Sequence, residues 1–576
     1  MLRKTKICCT LGPTTSSHET IEKLLKNGMN ICRLNFSHRK EGFDFYENLF
    51  GEIDILRQDD KYLFGVAMDT KGPETRVKKI VNGSVEIQEG CVVQFNFDMN
   101  GPSVYIDKKQ HEKLLFEKNM TNMTRFPNQE DGKIESKLNN QKKTRNKSEK
   151  KSMQTNEFNS SDFNVSKLKT NVTIDVDFKI VDTELPINYQ FSLDDSFLKM
   201  KMLSIDKKCI VAEALNNHVL MSNKSINLPG TIFEGSYLST ADKEDIDFCV
   251  SKGIDFIFAS FVNTQRDVIE LRNYVQLSVS RSPVPVSEPL IISKIESYNG
   301  IRNLDNIIAE SDGIMIARGD LGCEYNIYDL FKLQCVISER CIALNKPFIV
   351  ATQMIESMCD NIVPTRAEIV DIGNAVASFS DVVMTSKETA LGKYYSECVT
   401  LMRNACLSAE KYLKETKKMC KCFCQAENVE QEQIDSFYLS TLNAIFKGGN
   451  DFSLSNNKKK IICCGTIDQK KNFDEAKSTR LEAFVFIKPT YCDLDMYSLA
   501  KTHTPLIAIS DCADFLRKLN LRRGVLPFKA DKIGDNINGI IDEITKNLQE
   551  HFKLQTCNFL FLWCNENGQF IYKSTF

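Results

Sequence analysis

Short apolar runs alternate with amphipathic stretches from the start of the chain. KICCTLGP (6–13) precedes SSHETIEKLLKNG, where Ser16 and Glu19 match a capping box that predicts a helix start. MNICRLNFSH (29–38) precedes KEGFDFYENLFGEIDILR, and YLFGVAMDTKG (62–72) reads as a third strand. The alternation then stops and resumes at GIDFIFASF (253–261), which is followed by the helical TQRDVIELRNYV. PLIISKIE (289–296), GIMIARGDLG (313–322), KPFIVATQM (346–354) and DVVMTSKETA (381–390) complete eight apolar strands, each followed by a helical pattern. Strands that are apolar throughout and alternate with helices predict a parallel sheet. Without the interruption this part spans roughly 245 residues, close to the ~250 of a (β/α)8 barrel.

The interruption has its own pattern. GSVEIQEGCVVQFNF, YQFSLDDSFLKMKML and CIVAEALNNHVLM show period-2 alternation and turn residues, which predicts a small β domain inserted after the third strand. Within it, roughly 127–171 is rich in Lys, Asn, Ser and Gln with few apolar residues, and is expected to be disordered and solvated. Beyond residue 400 a long helix is expected. After a polar linker come KKIICCGTID, LEAFVFIKPT, TPLIAISD, GVLPF, NFLFLWCNE and QFIYKSTF, the strands of a separate α/β domain. The expected organisation is therefore α/β: barrel residues 1–73 and 229–410, an inserted β lid over 74–228, and a C-terminal α/β domain over 411–576.

Composition narrows the class. The 576 residues are 42% hydrophobic and 26% charged, with a net charge of −2, against the basic excess of a nucleic-acid binder. Apolar runs fall short of the roughly 18–20 residues of a membrane span. The 21 cysteines are scattered without the spacing of a disulfide scaffold, and the start of the chain lacks the pattern of a secretory signal. Reduced thiols in a cytoplasmic protein are the expectation. Cys420, Cys422 and Cys424, two apart, do not have zinc-finger spacing and are read as plain thiols.

Active sites of such barrels lie at the C-terminal strand ends. Polar side chains gather there: Arg33, Asn35, Ser37 and His38; Asp69, Thr70 and Lys71, then Glu74 and Arg76 beyond a Gly-Pro break; Lys294 and Glu296; Arg318, Gly319 and Asp320; Thr352 and Gln353; Ser386 and Glu388. The opposite strand ends are expected to carry no comparable set. Taken singly, Asp320 could be a helix cap and Thr70 a turn residue. Their convergence on one rim is what argues for a site. Glu296 and Asp320 are hard oxygen donors suited to Mg²⁺ or Mn²⁺. Arg33, Arg76 and Lys294 suit phosphoryl oxygens. Gly319 and Gly322 flank Asp320 where a helix should begin, and amides there bind anions. Asn35, Ser37, Asp69 and Thr70 form an oxygen-rich group with one formal charge, which fits a monovalent cation. The set points to phosphoryl transfer or enolate chemistry on a small acidic metabolite.

MNICRLNFSH, AMDTKGPETR, ISKIESYNGIRNLDNIIAESDGIMIARGDLG, NKPFIVATQMIESM, PTRAEIVDIGNAV and SKETALGKYYSE closely resemble the pyruvate kinase family. LDDSFLKMKM and SINLPGTIF resemble its lid, and THTPLIAISDCADFLRKLNLRRGVLPF its C-terminal domain. The resemblance implies transfer of the phosphoryl group of phosphoenolpyruvate to ADP, the last step of glycolysis. It implies Mg²⁺ on Glu296 and Asp320, with Lys294 and Arg33 at the phosphoryl group. It also implies that Gly319, Asp320 and Thr352 hold the carboxylate, and that Thr352 and Ser386 lie on the proton path to the enolate. K⁺ would sit among Asn35, Ser37, Asp69 and Thr70, with Glu74 the accompanying sign of K⁺ dependence. Asn35, His38, Arg76 and Lys224 would line the nucleotide site, Asp195 would aid lid closure, and the assembly would be a homotetramer. No nucleic-acid or membrane partner is expected.

The departures are specific. Ser386-Lys387-Glu388 stands where the family has Ser-Gly-Glu, and Asp194-Asp195-Ser196 where it has Asp-Asp-Gly. FIKPTYCDLD and CNENGQF replace the loops that bind a sugar bisphosphate, so activation by fructose 1,6-bisphosphate is not expected. Two alternatives stand beside catalysis: another barrel enzyme of pyruvate chemistry, and a degenerate scaffold or regulatory subunit. Retention of Lys294, Arg33 and both carboxylates weighs against the second.

Overall fold

The structure, a computed structural model, describes residues 3–39, 42–58, 62–98, 100, 103–106, 172–180, 188–234, 236–416, 483–487, 506–510, 512–529, 559–564 and 570–575. The lysine-rich stretch 127–171, the cysteines at 420–424, the first expected C-terminal strand and most of the two C-terminal loop segments lie outside the described residues.

The chain forms two compact units, Met1–Glu74 with Ser236–Phe576, and Thr75–Gly235. In the first unit, β1 (Lys6–Leu11), β2 (Ile31–Asn35) and β3 (Gly65–Asp69) pair in parallel. In the second, eleven described strands follow: β4 (Ser84–Ile87), β5 (Val92–Asn96), β6 (Ser103–Ile106), β7 (Val172–Asp175), β8 (Lys179–Ile180), β9 (Gln190–Leu193), β10 (Leu198–Ile205), β11 (Cys209–Ala214), β12 (His218–Met221), β13 (Ile226–Asn227) and β14 (Thr231–Glu234). Six of them make one sheet in the order β13-β9-β10-β11-β5-β7, while β12 pairs with β4, and β14-β6-β8 form a third sheet. Phe95, Phe178, Phe191, Leu193, Met200 and Leu220 fill the core of this unit, the inward half of the alternation read from the sequence.

The first unit resumes with β15 (Phe256–Ala259), β16 (Leu290–Ile295), β17 (Gly313–Ala317), β18 (Phe348–Ala351) and β19 (Val382–Thr385). With β1–β3 these close an eight-stranded parallel barrel in the order β1-β19-β18-β17-β16-β15-β3-β2. Its strands are buried along nearly their whole length, so they read as continuous apolar runs. The C-terminal strands β20 (Ala483–Ile487), β21 (Leu506–Ser510), β22 (Val525–Lys529), β23 (Phe559–Cys564) and β24 (Phe570–Thr575) form one sheet, β24 antiparallel to the rest. The first helix is capped by Ser17, whose side chain accepts from the Thr20 amide, so the cap lies one residue after the expected Ser16.

Contrary to expectation, the N-terminal strand ends are also polar. An aspartate precedes each of three barrel strands and accepts the free amide of a neighbouring strand. Asp255 takes Val66 N at 2.8 Å, Asp312 takes Ile291 N at 2.8 Å, and Asp381 takes Phe348 N at 3.0 Å. An amide left unpaired at a buried rim is costly, and a carboxylate there supplies the acceptor. The C-terminal domain meets two of these acids: Arg517 Nε lies 3.1 Å from Asp255 as a counter-charge, and the backbone amide of Arg523 donates to Asp381 at 2.9 Å. Glu410 accepts from the Lys4 and Thr5 amides at 3.0 and 2.7 Å. These buried groups join barrel to C-terminal domain, while the opposite rim is left for chemistry.

Candidate active site

Gly72 and Pro73 turn the chain out of the barrel. Gly72 has φ +64° and passes so close to Ser260 that a Cβ would lie 2.6 Å from its carbonyl oxygen. Only glycine combines that backbone with that approach. Ahead of this turn, Asp69 ends β3 with no exposed surface and sits between two cations. Arg33 Nε on β2 reaches Asp69 Oδ2 at 2.7 Å, and Lys294 Nζ on β16 reaches Asp69 Oδ1 at 3.0 Å. Lys294 Nζ also lies 3.1 Å from Glu296 Oε1 and donates to Ser260 Oγ at 2.8 Å. The second Glu296 oxygen accepts from the Phe261 amide at 2.6 Å.

This geometry sets the charge states. Burial works to raise the Asp69 carboxyl, but Arg33 and Lys294 outweigh it and hold it below its ordinary 3.8. Burial works to lower the Lys294 ammonium, but Asp69 and Glu296 outweigh it and push it up. Lys294 is therefore a permanent cation, and Asp320 adds to the negative field around it. Because the folded Asp69 value is depressed, its stabilisation is present above about pH 4 and is lost as pH falls through the lower folded value.

Ser260, at the end of β15, was missed in the sequence. It joins Lys294 to Asp69 and donates to the Thr70 carbonyl at 2.6 Å. The signal was present: it is the one polar residue closing the run FIFAS before Phe261. Ser37 Oγ also reaches the Thr70 carbonyl, at 3.3 Å, and the Ser37 amide donates to Asn35 Oδ1 at 3.1 Å. Asn35, Ser37, Asp69 and Thr70 are thus brought together, with Tyr46 OH fixing the Asn35 carbonyl at 2.6 Å. His38 closes the turn Phe36–His38, and its side chain lies outside the described residues.

Asp320 lies in the helix Arg318–Glu324, directly after β17. The Gly319 amide donates to Thr352 Oγ at 2.8 Å, so these two residues meet. Thr352 and Gln353 have φ of +67° and +51°, a left-handed backbone that non-glycine residues adopt at a cost. Arg318 holds that backbone. It is buried, donates to the Thr352 carbonyl at 2.7 Å and to Asp371 at 2.8 Å, and so faces inward to support the rim. Arg318→Ala should release Thr352 and raise the KM for the substrate bound at this rim about tenfold in steady-state assays. An unchanged KM would separate Arg318 from the site.

At β19, the Ser386 amide donates to Glu388 Oε2 at 2.6 Å, while Glu388 Oε1 has no hydrogen-bond partner among the described residues. Burial pushes the Glu388 carboxyl up. Lys387, where the resemblance leads to an expected glycine, opens the helix Lys387–Ala390 and pairs with Glu356 at 3.5 Å, both side chains exposed. Its φ is not positive, so glycine is not required there.

Arg76 and Lys224 belong to the inserted unit. Arg76 Nη1 donates to the Asn223 carbonyl at 2.7 Å, and Lys224 Nζ lies 2.8 Å from Asp194 Oδ1. Arg76 thus attaches to the turn that carries Lys224, while Lys224 reaches across to the Asp194 turn. Asp194, Asp195 and Ser196 all have positive φ, of +52°, +52° and +65°. Serine at the last of these carries strain that the family's glycine avoids.

The pyruvate kinase barrel domain profile matches residues 2–115 and 134–399. The chain belongs to the pyruvate kinase family. It is 33% identical over 411 residues to the pyruvate kinase of Dictyostelium discoideum, covering 71% of this chain and 66% of that one. It is 29% identical over 526 residues to that of Encephalitozoon cuniculi, covering 91% of each. The crystal structure of a pyruvate kinase from Cryptosporidium parvum matches with a TM-score of 0.71 at 24% identity, covering 100% of this chain and 96% of that one, and shows the shared fold. Membership makes the chain an enzyme of the phosphotransferase class. No helix of the described residues is long and apolar enough to cross a membrane.

Proposed function

We propose that the chain transfers the phosphoryl group of phosphoenolpyruvate to ADP, giving pyruvate and ATP as the last step of glycolysis. The observation that carries this is Lys294, a buried ammonium fixed by Asp69 and Glu296 at one barrel rim. Among the described residues no three His, Cys, Asp or Glu side chains converge as a metal cage. Two carboxylates with room for substrate oxygens fit Mg²⁺, which takes few protein ligands, and Glu296 and Asp320 are the proposed pair. Bound there, Mg²⁺ or Mn²⁺ supplies positive charge to phosphoryl oxygens. The oxygens of Asn35, Ser37, Asp69 and Thr70 are the proposed K⁺ ligands.

Lys294 and Arg33 balance the charge of the phosphoryl group while its bond to the enol oxygen breaks and a bond to an ADP oxygen forms. Thr352 and the amides of Gly319 and Asp320 orient the substrate carboxylate. The enolate then takes a proton at carbon along a path that includes Thr352 and Ser386. On the barrel Asn35 and His38, and on the inserted unit Arg76 and Lys224, are the proposed nucleotide contacts. A homotetramer is proposed from family membership. Ile327 and Tyr328 in the turn Ile327–Asp329 and Phe331 at the start of the helix Leu330–Ala343 are all exposed, as a face covered by another subunit would be. The proposed compartment is the cytoplasm.

Metal removal tests this reading. Chelation should abolish pyruvate formation and excess Mg²⁺ should restore it, while replacing K⁺ with Na⁺ should lower turnover at least tenfold. Equal turnover in chelator would refute the proposal.

A further inference from the structure

The inserted unit holds a polar triad of Lys224, Asp194 and His218, the last two being side chains with no assigned part in the transfer reaction. Asp194 is buried, yet each of its oxygens meets a basic side chain. Lys224 Nζ lies 2.8 Å from Oδ1, and His218 Nε2 lies 2.8 Å from Oδ2. Burial works to raise the Asp194 carboxyl, but the hydrogen bonds from Lys224 and His218 outweigh it and hold it down. The carboxylate is thus an acceptor only, so His218 Nε2 carries a proton and donates it. The ring is held in place: Phe197 stacks parallel on it, with centroids 6.1 Å apart and planes at 9°. β12 carries His218 opposite Ile87 of β4, and the Asp194 turn is fixed by its amide to the Ser225 carbonyl at 3.0 Å. Lys224 and Ser225 adjoin in sequence, so carboxylate, ammonium and imidazole form one rigid corner. Charged residues on the neighbouring elements are Asp195 in the Asp194 turn, Lys199 and Lys201 on β10 after Phe197, Glu86 on β4 and Glu89 after it.

We propose that His218 is a positioning residue that sets, through Asp194, how much of the Lys224 charge is available to the phosphates of a nucleoside diphosphate. This rests on the reading of Lys224 as a nucleotide-binding cation. With a neutral imidazole, Asp194 is neutralised by Lys224 alone, and the ammonium is held to the carboxylate. When the imidazole takes up a second proton, on Nδ1, the carboxylate is shared between two cations. The corner then gains one positive charge, and the Lys224 ammonium is freer to engage an anion. An unperturbed histidine changes charge between pH 5 and 8, which sets the pH range over which the corner is tested. Nucleotide affinity at this corner rises as pH falls.

The test is calorimetric titration of MgADP into the full chain between pH 5.5 and 8, independent of turnover. His218→Gln keeps a donor to Asp194 but cannot gain charge. Comparing it with the wild type at each pH cancels the titration of ADP itself. The wild-type protein should gain about fivefold in affinity over His218→Gln at pH 5.5, the size of one partly exposed charge interaction, and nothing at pH 8. Identical pH profiles would overturn the role of His218. Lys224→Ala is the second variant and should weaken MgADP binding at every pH. If it does not, the nucleotide reading of Lys224 falls and the inference with it; if it does while the two profiles coincide, only the inference falls. In steady-state assays the His218→Gln effect should appear in the KM for ADP and leave kcat unchanged.

Discussion

Replacing Lys294 with methionine should lower pyruvate formation by about 10²- to 10³-fold, measured in a coupled assay at saturating substrates. Among the described residues, Lys294 is the side chain that touches Asp69, Glu296 and Ser260 together. Its charge is permanent, because the two acids outweigh the burial that would otherwise deprotonate it. A preorganised charge aimed at developing negative charge in a dry site is worth about 10²–10³ in rate. Methionine matches the stem in length and removes the charge. Asp69 keeps Arg33 at 2.7 Å, so the barrel should stay folded with only a modest fall in thermal midpoint. Loss of activity together with loss of folding would not support the assignment; loss of activity in a folded protein would. Unchanged turnover would remove Lys294 from the mechanism.

The second large effect is expected far from the chemistry. Asp255→Ala should destabilise the barrel by about 3–5 kcal/mol, because it leaves buried cations without their counter-charge. Asp255 is 1% exposed and accepts from Val66 N at 2.8 Å, with Arg57 on one oxygen and Arg517 of the C-terminal domain on the other. A thermal midpoint lower by roughly 5 °C is the expected readout for a unit of this size. Asp255→Asn, which keeps an acceptor for Val66 but loses the charge, should fall between the two. A midpoint within 2–3 °C of wild type for the alanine variant would show that the arginines find other partners.

The barrel was legible because its strands are buried on both faces. FIFA, LIISKI and GIMIA are apolar without interruption and are bounded by helical patterns, which leaves few other architectures. The polar rim was legible because side chains that end apolar strands have few structural reasons to be there. Three things were not. The rim at the other end was overlooked, although an aspartate directly before a strand in GIDF, SDGI and SDVV is a local sign of an amide acceptor. The direction of Arg318 was not readable, since a strand-end arginine faces the mouth or the wall according to partners distant in sequence, here Asp371 and the Thr352 carbonyl. The corner of Asp194, His218 and Lys224 joins two loop residues and one strand residue that lie apart in sequence, and only tertiary structure brings them together.

Lys387 and Ser196 looked in the sequence like marks of decay. At Lys387 the backbone makes no demand for glycine, and the side chain meets Glu356 at the surface. Ser196 does sit in a left-handed turn, with its hydroxyl 2.9 Å from Ser192 Oγ. Strain there bears on the stability of the inserted unit and leaves the groups around Lys294 untouched.

In the proposed reaction Glu296 and Asp320 hold a divalent cation beside Lys294. The most direct test is the Mg²⁺ dependence of pyruvate formation from phosphoenolpyruvate and ADP, for the wild-type chain and for the Glu296→Gln, Asp320→Asn double variant. The wild type should turn over at about 1–10³ per second and saturate with Mg²⁺, while the folded double variant should fall at least a thousandfold and require far higher Mg²⁺. A double variant with the wild-type rate and the wild-type Mg²⁺ curve would contradict the account.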